Sequence, residues 1–225
     1  MVAEPGEERG GRYTRPALEG SAVATGRGDD GSTGLLYGGE RIAKNDDRVE
    51  AYGTIDEAVA ILGVARADLR LKADYGVQPP QIARLGELLL GIQRELFVAA
   101  AEIATNPDAW DRLEDGRTRV SESMVAGLES TLAELEAAIE MPREFVVPGE
   151  TRLSATLEVA RTVMRRAERR VLTLRDRELI PGPWLLPYLN RLADLLWVLA
   201  RAAEQAESRH ATPARTSRRA PRASA

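Results

Sequence analysis

Residues 161–170 read RTVMRRAERR and hold five arginines and one glutamate. An apolar ladder runs through this charged stretch at alternating spacings of four and three: Leu153, Leu157, Ala160, Met164, Ala167, Val171 and Leu174. That spacing is typical of one buried face of an α-helix. The stretch therefore predicts an arginine-rich helix that packs against other helices.

A charged stripe lies beside the buried face of this helix. Arg161, Arg165 and Glu168 follow the apolar ladder one position later. A solvated helix face is one explanation. Because the stripe borders the core, it also suggests a helix that binds an anion or pairs with a neighbouring subunit.

Four further amphipathic patterns flank the arginine-rich helix. They run from about 47 to 71, from 79–80 to 103, through 125–139, and from about 184 to 208. No convincing strand pattern appears. We therefore predict an all-α, ferritin-like five-helix bundle in one domain, residues 25–209. A disordered extension, 1–24, and a disordered basic tail, 210–225, are expected at its ends.

The last of these helices combines a strongly apolar surface with one polar face. Asn190, Asp194, Trp197 and Arg201 recur at spacings of four, three and four, and so share that face. A buried Asn or Asp needs a polar partner. We expect the arginine-rich helix to supply it.

Composition excludes several kinds of chemistry. The chain of 225 residues has no cysteine, and its only histidine, His210, lies in the polar tail. Disulfides, thiolate metal sites, cysteine nucleophiles and histidine general bases are therefore excluded. A net charge of -4 gives no reason to expect nucleic-acid binding.

The N-terminus and the apolar runs indicate where the protein works. The first residues, MVAEPGEERGGR, are not those of a signal peptide. The longest apolar run, 192–200, is interrupted by Asp194 and is far below the ~20 residues that span a bilayer. We expect a cytoplasmic protein without a membrane segment.

A glycine-rich segment precedes the first helix. Residues 25–34 read TGRGDDGSTG, and Lys44 follows nearby. Backbone N–H groups, hydroxyls and a cation can cradle a phosphate, but a flexible linker has the same composition. The segment is neither a Walker A loop nor a dinucleotide fingerprint, since no GK[ST] and no βαβ unit is present.

The start of the first helix is rich in charge. Within residues 44–57, KNDDRVEAYGTIDE, Arg48, Tyr52 and Asp56 lie at i, i+4 and i+8. Acids near the positive end of a helix dipole explain part of this pattern without any ligand. A functional role for the same side chains is the alternative.

Taken together, these blocks resemble the PduO-type ATP:cob(I)alamin adenosyltransferases. The family pattern T-[RK]-x-G-D-x-G-x-T is similar to residues 25–33, and K-x-D-x-R-V-x-A-Y-G-x-[VTI]-D-E to residues 44–57. F-[VI]-x-P-G matches 145–149, A-R-[TA]-x-x-R-R-A-E-R matches 160–169, and [YF]-[LI]-N-R-L-[SA]-D matches 188–194. Each block alone is weak, but all of them in order are very specific.

The resemblance implies a fold and a reaction. Such enzymes are five-helix bundles that assemble as homotrimers with active sites between subunits. They transfer the 5′-deoxyadenosyl group of ATP, bound with Mg²⁺, to cob(I)alamin and release triphosphate. Since cobalt(I) is the nucleophile, no protein nucleophile is required. A flavin reductase and an adenosylcobalamin-dependent enzyme are the implied partners.

The resemblance also implies which residues bind ATP. The triphosphate would be held by Thr25, Gly28, Asp29, Gly31, Thr33 and Lys44. From the neighbouring subunit's side, ATP would be bound by Arg165, Glu168 and Asn190, with Arg48 a further candidate.

Three residues are matched to the corrinoid half of the site. Asp56 and Arg161 correspond to an intersubunit salt bridge that orders the site and helps to admit cobalamin. Phe145 corresponds to an aromatic residue that displaces the lower axial ligand, so that cobalt(II) is more easily reduced. With Arg165, these residues form the implied catalytic set.

The chain departs from the family pattern at three positions. Gly26 stands where the family usually has a basic residue, and Arg27 is the next residue of this chain. Glu150 replaces a glycine, and Glu158 stands where a histidine is frequent. These changes bear on substrate affinity and corrinoid preference. A catalytically weak corrinoid or nucleotide carrier is the alternative function, and a helical scaffold without ligand is a third.

Overall fold

A computed structural model describes residues 21, 23–74 and 80–215 of the chain. Most of the predicted N-terminal extension and the end of the predicted basic tail lie outside these residues. The proposed division of the chain at 25 and 209 remains a prediction.

Five long helices make up the described structure and confirm the all-α bundle. They are α1 Asp47–Asp74, α2 Pro80–Ala104, α3 Glu122–Ala138, α4 Arg152–Asp176 and α5 Leu185–Ala206. A short 3-10 helix, Pro107–Arg112, lies between α2 and α3. The arginine-rich helix is α4, and its N-terminus is closed by a capping box between Thr151 and Ser154.

Two small strand pairs went undetected in the sequence. In the first, β1 Ser32–Thr33 lies antiparallel to β2 Ile42–Ala43. In the second, β3 Val146–Val147 lies antiparallel to β4 Thr212–Pro213. Strands of two residues are too short to show an alternating pattern, so no sequence signal predicts them.

The core is built around α4 and α5. Helix α4 packs on both α1 and α5, while α2 packs on α1 and α3 on α5. Every residue of the apolar ladder of α4 is fully buried, and all the leucines of α5 except the half-buried Leu186 are buried beside it. Buried side chains of this size each contribute roughly 1.5–3 kcal/mol, so this apolar face is the main source of stability.

Part of the arginine content of α4 joins it to α1. Arg166 binds Glu57, and Arg170 binds Glu50 with 2.8 Å between Nη2 and Oε2. These pairs are partly exposed, so each contributes little to stability. They do fix which surface of α4 faces α1, and they leave the stripe of Arg161, Arg165 and Glu168 on another side.

Two buried charged side chains connect the helices to the loops. Arg48 donates to the backbone carbonyls of Thr105, at 3.1 Å, and Leu179, at 3.3 Å. Glu102, at the end of α2, accepts a hydrogen bond from the Val120 amide at 2.8 Å. A Cβ atom on Gly182 would lie 2.6 Å from Glu102 Oε1, so a larger residue at 182 would displace this carboxylate.

We predict that Glu102→Gln flattens the dependence of stability on pH. Burial raises the pKa of Glu102 from 4.5 to about 7, against the opposing effects of the Val120 amide and Arg119. The folded state therefore holds a proton that the unfolded chain has lost. The free energy of unfolding should fall by at most about 3 kcal/mol between pH 4.5 and 7 through this group.

Urea unfolding of both proteins at a series of pH values measures this effect. Gln keeps an acceptor for the Val120 amide but does not titrate, so its curve should lack the Glu102 contribution. The same pH dependence in the two proteins would show that Glu102 is ionised throughout.

Candidate functional site

A cavity of about 580 Å³ opens between α4 and α5 and is lined by three of the predicted ATP-binding residues. Arg165 and Glu168 come from α4 and Asn190 from α5. Asn190 donates from Nδ2 to Glu168 Oε1 at 3.2 Å. The Arg165 side chain is exposed and forms no ion pair with any residue that the structure describes. The cavity thus contains the guanidinium of Arg165, without an ion pair among the described residues, next to the hydrogen-bonded carboxylate of Glu168 and amide of Asn190.

The wall of this cavity includes residues that sequence reasoning missed. Arg169 and Arg175 add positive charge, while Leu172, Pro183, Leu186 and Pro187 add apolar surface. Arg169 donates from Nη1 to the carbonyl of Arg165 at 2.9 Å, which holds it beside the opening. Arg169 lies four positions after Arg165, and Leu172 lies four positions after Glu168, so extending the stripe by one turn would have found both.

The polar face of α5 differs from the prediction at one end. Asn190 and Asp194 are exposed rather than buried, although Asn190 does find its partner on α4. Trp197 is half-buried and Arg201 is 1% exposed. The difference arises because loops from elsewhere in the chain cover this face only near its C-terminal end, while its N-terminal end faces the open cavity.

The glycine-rich segment folds as a hairpin around β1 and β2. The Lys44 side chain lies close to the backbone of Gly28. A Cβ atom added to Gly28 would be 3.0 Å from Lys44 Nζ and 3.2 Å from the Ser32 carbonyl oxygen. The Lys44 amide donates to the Gly31 carbonyl at 2.8 Å. Gly31 has φ 80°, which favours glycine. The segment therefore forms a defined hairpin with the Lys44 side chain beside Gly28.

Arg41 fastens the hairpin, and the sequence analysis did not identify it. Its guanidinium donates to Ser32 Oγ at 2.8 Å and to the carbonyl of Arg27, also at 2.8 Å. The remaining predicted triphosphate residues surround this arrangement: Thr25 and Asp29 are exposed, and Thr33 is half-buried. A hydrogen bond joins the Thr33 side chain to Tyr52 of α1.

Phe145 stands at a second cavity, of about 710 Å³, between α4, α5 and the loop that precedes α4. Its side chain is 88% exposed. Arg161, Glu158 and Trp197 line the inner wall. An exposed phenylalanine at the mouth of a cavity is a surface on which a flat apolar ligand can lie.

Glu158 is the centre of a charged cluster behind this cavity. It accepts from Arg161 Nε at 2.7 Å and lies 3.4 Å from Arg201 Nη1, while Arg201 also binds Glu204 at 2.8 Å. Glu158, Arg201 and Glu204 are all buried. Glu158, which stands where a histidine is frequent in the family, therefore provides the carboxylate that both Arg161 and Arg201 contact.

Asp56 and Arg161 do not meet within the chain. Asp56 lies exposed on α1 and has no ion pair among the described residues, and Arg161 binds Glu158 instead. Although the residue is exposed, neighbouring atoms partly exclude water from its carboxyl group, and this desolvation raises the pKa of Asp56. The predicted salt bridge between Asp56 and Arg161 is therefore not formed within the described part of this chain.

The predicted residues thus fall into three groups within the chain. Lys44 belongs to the hairpin, Arg165 to the first cavity and Phe145 to the second. Across residues 23–74 and 80–215, no hydrogen bond or ion pair joins the hairpin to either cavity. Arg48 belongs to none of the groups, since it is buried against Thr105 and Leu179.

Two general properties of the described helices and side chains complete the picture. None of these helices is long and apolar enough to cross a membrane. Within the same residues, no three acidic or histidine side chains are grouped as they would be in a metal site.

Comparison with known proteins agrees with the resemblance seen in the sequence. The model of the family described as "Cobalamin adenosyltransferase" matches residues 23–203. A corrinoid adenosyltransferase from Citrobacter freundii is 39% identical over 188 residues, which cover 81% of this chain and 94% of the relative. One from Mycobacterium tuberculosis is 38% identical over 193 residues, covering 83% and 91%.

Solved structures show the same likeness. A variant PduO-type ATP:corrinoid adenosyltransferase from Lactobacillus reuteri, complexed with cobalamin and ATP, has a TM-score of 0.73 and 29% identity, covering 87% of this chain and 98% of that one. Another variant from the same organism, complexed with ATP, has a TM-score of 0.72 and 29% identity, covering 86% and 100%. With a family model and relatives that both span most of its length, this chain belongs to the cobalamin adenosyltransferase family.

Proposed function

We propose that this protein transfers the 5′-deoxyadenosyl group of ATP to cob(I)alamin, with the residues of the two cavities and the hairpin as its active site. The observation that carries the assignment is the meeting of Arg165, Glu168 and Asn190 in one cavity. Arg165 and Glu168 come from α4 and Asn190 from α5, and all three are matched to ATP in the family. Its relatives are named corrinoid adenosyltransferases, and structures like it hold ATP and cobalamin.

The reaction is a substitution in which the substrate supplies the nucleophile. A cobalt–carbon bond forms at the ribose C5′, the C5′–oxygen bond breaks, and triphosphate leaves with the electron pair. No side chain has to transfer a proton, which agrees with a chain that has no cysteine and whose one histidine is His210. The protein contributes alignment of the two substrates and stabilisation of the negative charge on the leaving group.

Each group of residues has a role in this scheme. Lys44, lying across the glycine hairpin, is placed to neutralise the triphosphate together with the hairpin amides. The exposed guanidinium of Arg165 can bind a phosphate through two parallel hydrogen bonds. Glu168 and Asn190, already paired, offer acceptors and donors to the ribose or the adenine.

The separation of these groups supports an assembly with active sites between subunits, and the family resemblance suggests that this assembly is a homotrimer. The hairpin of one chain and the Arg165 cavity of the next would enclose ATP, since the two do not meet within a chain. Asp56 has no partner among the described residues of its own chain. An Arg161 from the neighbouring subunit would supply one.

Arg48 and Mg²⁺ are given supporting roles. Arg48 is buried, so we assign it the task of holding α1 against the loops at Thr105 and Leu179, behind the hairpin. Mg²⁺ would arrive with ATP. Such an ion needs only one or two carboxylates besides phosphate oxygens and water, and Asp29, exposed in the hairpin, is suited to that.

The reaction also implies where the protein works and with which proteins. We place it in the cytoplasm. A flavin reductase would supply electrons for cob(I)alamin, because cobalt must reach the +1 state before it can attack carbon. An adenosylcobalamin-dependent enzyme would take up the product.

The purified protein should form adenosylcobalamin when it is mixed anaerobically with MgATP and chemically reduced cobalamin. The absorption spectrum of the light-sensitive product measures the yield. Binding of ATP and cobalamin without any product would instead identify a cofactor carrier.

Arg165→Ala should lower kcat/KM for ATP by roughly 100-fold or more, since a side chain that stabilises a developing charge contributes about that much. The matched control is Arg84→Ala, which removes an exposed arginine that pairs with Glu134 outside the cavities. Steady-state kinetics of both variants, with circular dichroism to verify folding, tests the assignment. Equal kinetics in the two variants would place ATP elsewhere.

Asp56→Asn should weaken the trimer, because it removes the charge that we pair with Arg161 of the next subunit. Light scattering over a dilution series should show smaller assemblies at protein concentrations where the wild type stays trimeric. Asp111→Asn, at an exposed aspartate of the 3-10 helix, is the control. If Asp56→Asn and the control assemble alike, Asp56 is not an interface residue.

A further inference from the structure

The chain returns across the Phe145 loop after α5 ends. We call residues 207–215 the C-terminal return and residues 140–150 the Phe145 loop. At Ser208 the backbone has φ 56°, and the Arg209 amide donates to the Glu204 carbonyl at 2.9 Å, so the chain reverses direction sharply. The family match ends at 203, so the return lies beyond it.

The return contacts the loop near its middle and at its far end. β4 pairs with β3, and the Ala214 amide donates to the carbonyl of Phe145 itself at 2.7 Å. The Thr212 hydroxyl binds the Glu150 carboxylate. Glu150, which replaces the family's glycine, is therefore hydrogen-bonded to Thr212 of the C-terminal return.

Gln205, on the last turn of α5, holds the beginning of the loop. Its side-chain oxygen accepts from the Glu140 amide at 2.9 Å, and its side-chain nitrogen donates to the Glu140 carbonyl at 2.7 Å. The amide group therefore binds Glu140 as a neighbouring strand would. Together with the return, it fixes the loop at three points.

Packing does little to hold this loop. None of residues 141–150 is buried, and Phe145 and Val147 are 88% and 48% exposed. Within the described part of the chain, every hydrogen bond found for residues 141–149 comes from the return. The position of Phe145 therefore depends on backbone pairing with β4 rather than on the core.

The return is itself attached to the rigid bundle. Glu207 forms an ion pair with Lys72 of α1 at 2.6 Å, and both side chains are only 25% exposed. The turn of α5 from which it departs carries buried Arg201 and Glu204. Because the return is anchored to α1 and α5, it can hold the Phe145 loop in a fixed position relative to these helices. Its last described residues, Ala214 and Arg215, also line the Phe145 cavity.

We propose that the C-terminal return positions Phe145 for the corrinoid, with Ala214 and Thr212 as positioning residues. The proposal rests on the proposed function, in which Phe145 meets the lower face of the corrin. To contact the flat corrin ring, the Phe145 side chain has to lie at a defined distance from the ring plane and at a defined angle to it. An exposed loop alone fixes neither the distance nor the angle. The strand pair supplies that definition. ATP, bound at the other cavity, is not affected.

Ala214→Pro tests this directly, since it removes the N–H group that donates to Phe145, although the proline ring also fixes the backbone φ angle at this position. We expect kcat/KM for cob(I)alamin to fall by roughly five- to tenfold, the usual effect of one lost hydrogen bond, while the Kd for MgATP stays within about twofold. The fraction of bound cob(II)alamin without a lower axial ligand, read from its electron paramagnetic resonance spectrum, should also fall. Ala214→Ser keeps the N–H group and should match the wild type.

Thr212→Val provides a second variant, which removes only the hydroxyl bound to Glu150. It should shift the cob(II)alamin spectrum in the same direction. Spectra of Ala214→Pro and Thr212→Val equal to that of the wild type would overturn the proposal. So would a loss of ATP affinity as large as the loss for the corrinoid, because that would indicate general damage.

The proposed function fails by a different result. A wild-type protein that makes no adenosylcobalamin refutes the function, yet its cob(II)alamin spectrum still tests the role of the return. If the wild type does not bind cob(II)alamin either, both proposals fall.

Discussion

The burial of one face of α4 is the constraint on which the structure depends. Its apolar ladder is fully buried between α1 and α5, so the rotation of the helix about its axis is fixed. The direction in which each charged side chain of α4 leaves the helix is then fixed as well. Arg166 and Arg170 face α1, whereas Arg165 and Glu168 open into the cavity beside α5. Core packing thus positions the candidate ATP site.

The same packing explains what could be predicted from the sequence. Helices are visible because their apolar periodicity extends over many turns, and the face shared by Arg165 and Glu168 follows from it. Exposure of Asn190 could not be predicted, since it depends on which loops cover α5. Neither could the β3–β4 pair, because two-residue strands carry no period and the partners are far apart in sequence. The family resemblance supplied residue roles that periodicity alone does not contain.

The three groups of site residues differ in how they are held, and this fits the tasks proposed for them. The Arg165 cavity is carried by two core helices, the hairpin by Arg41 and Lys44, and Phe145 by a strand pair at the surface. A nucleotide with a fixed charge pattern suits rigid elements. A bulky corrinoid has to enter and leave, which suits a surface loop that is held mainly by hydrogen bonds to the C-terminal return. In the proposed mechanism, assembly of the subunits would bring all three groups together.

The most direct test of this account is a crystal structure of the assembled protein with MgATP. We expect the triphosphate to lie between Lys44 of one subunit and Arg165 of the next, with the ribose C5′ facing the cavity of Phe145. A nucleotide bound within a single subunit, or with Arg165 and Lys44 both pointing into solvent, would contradict it.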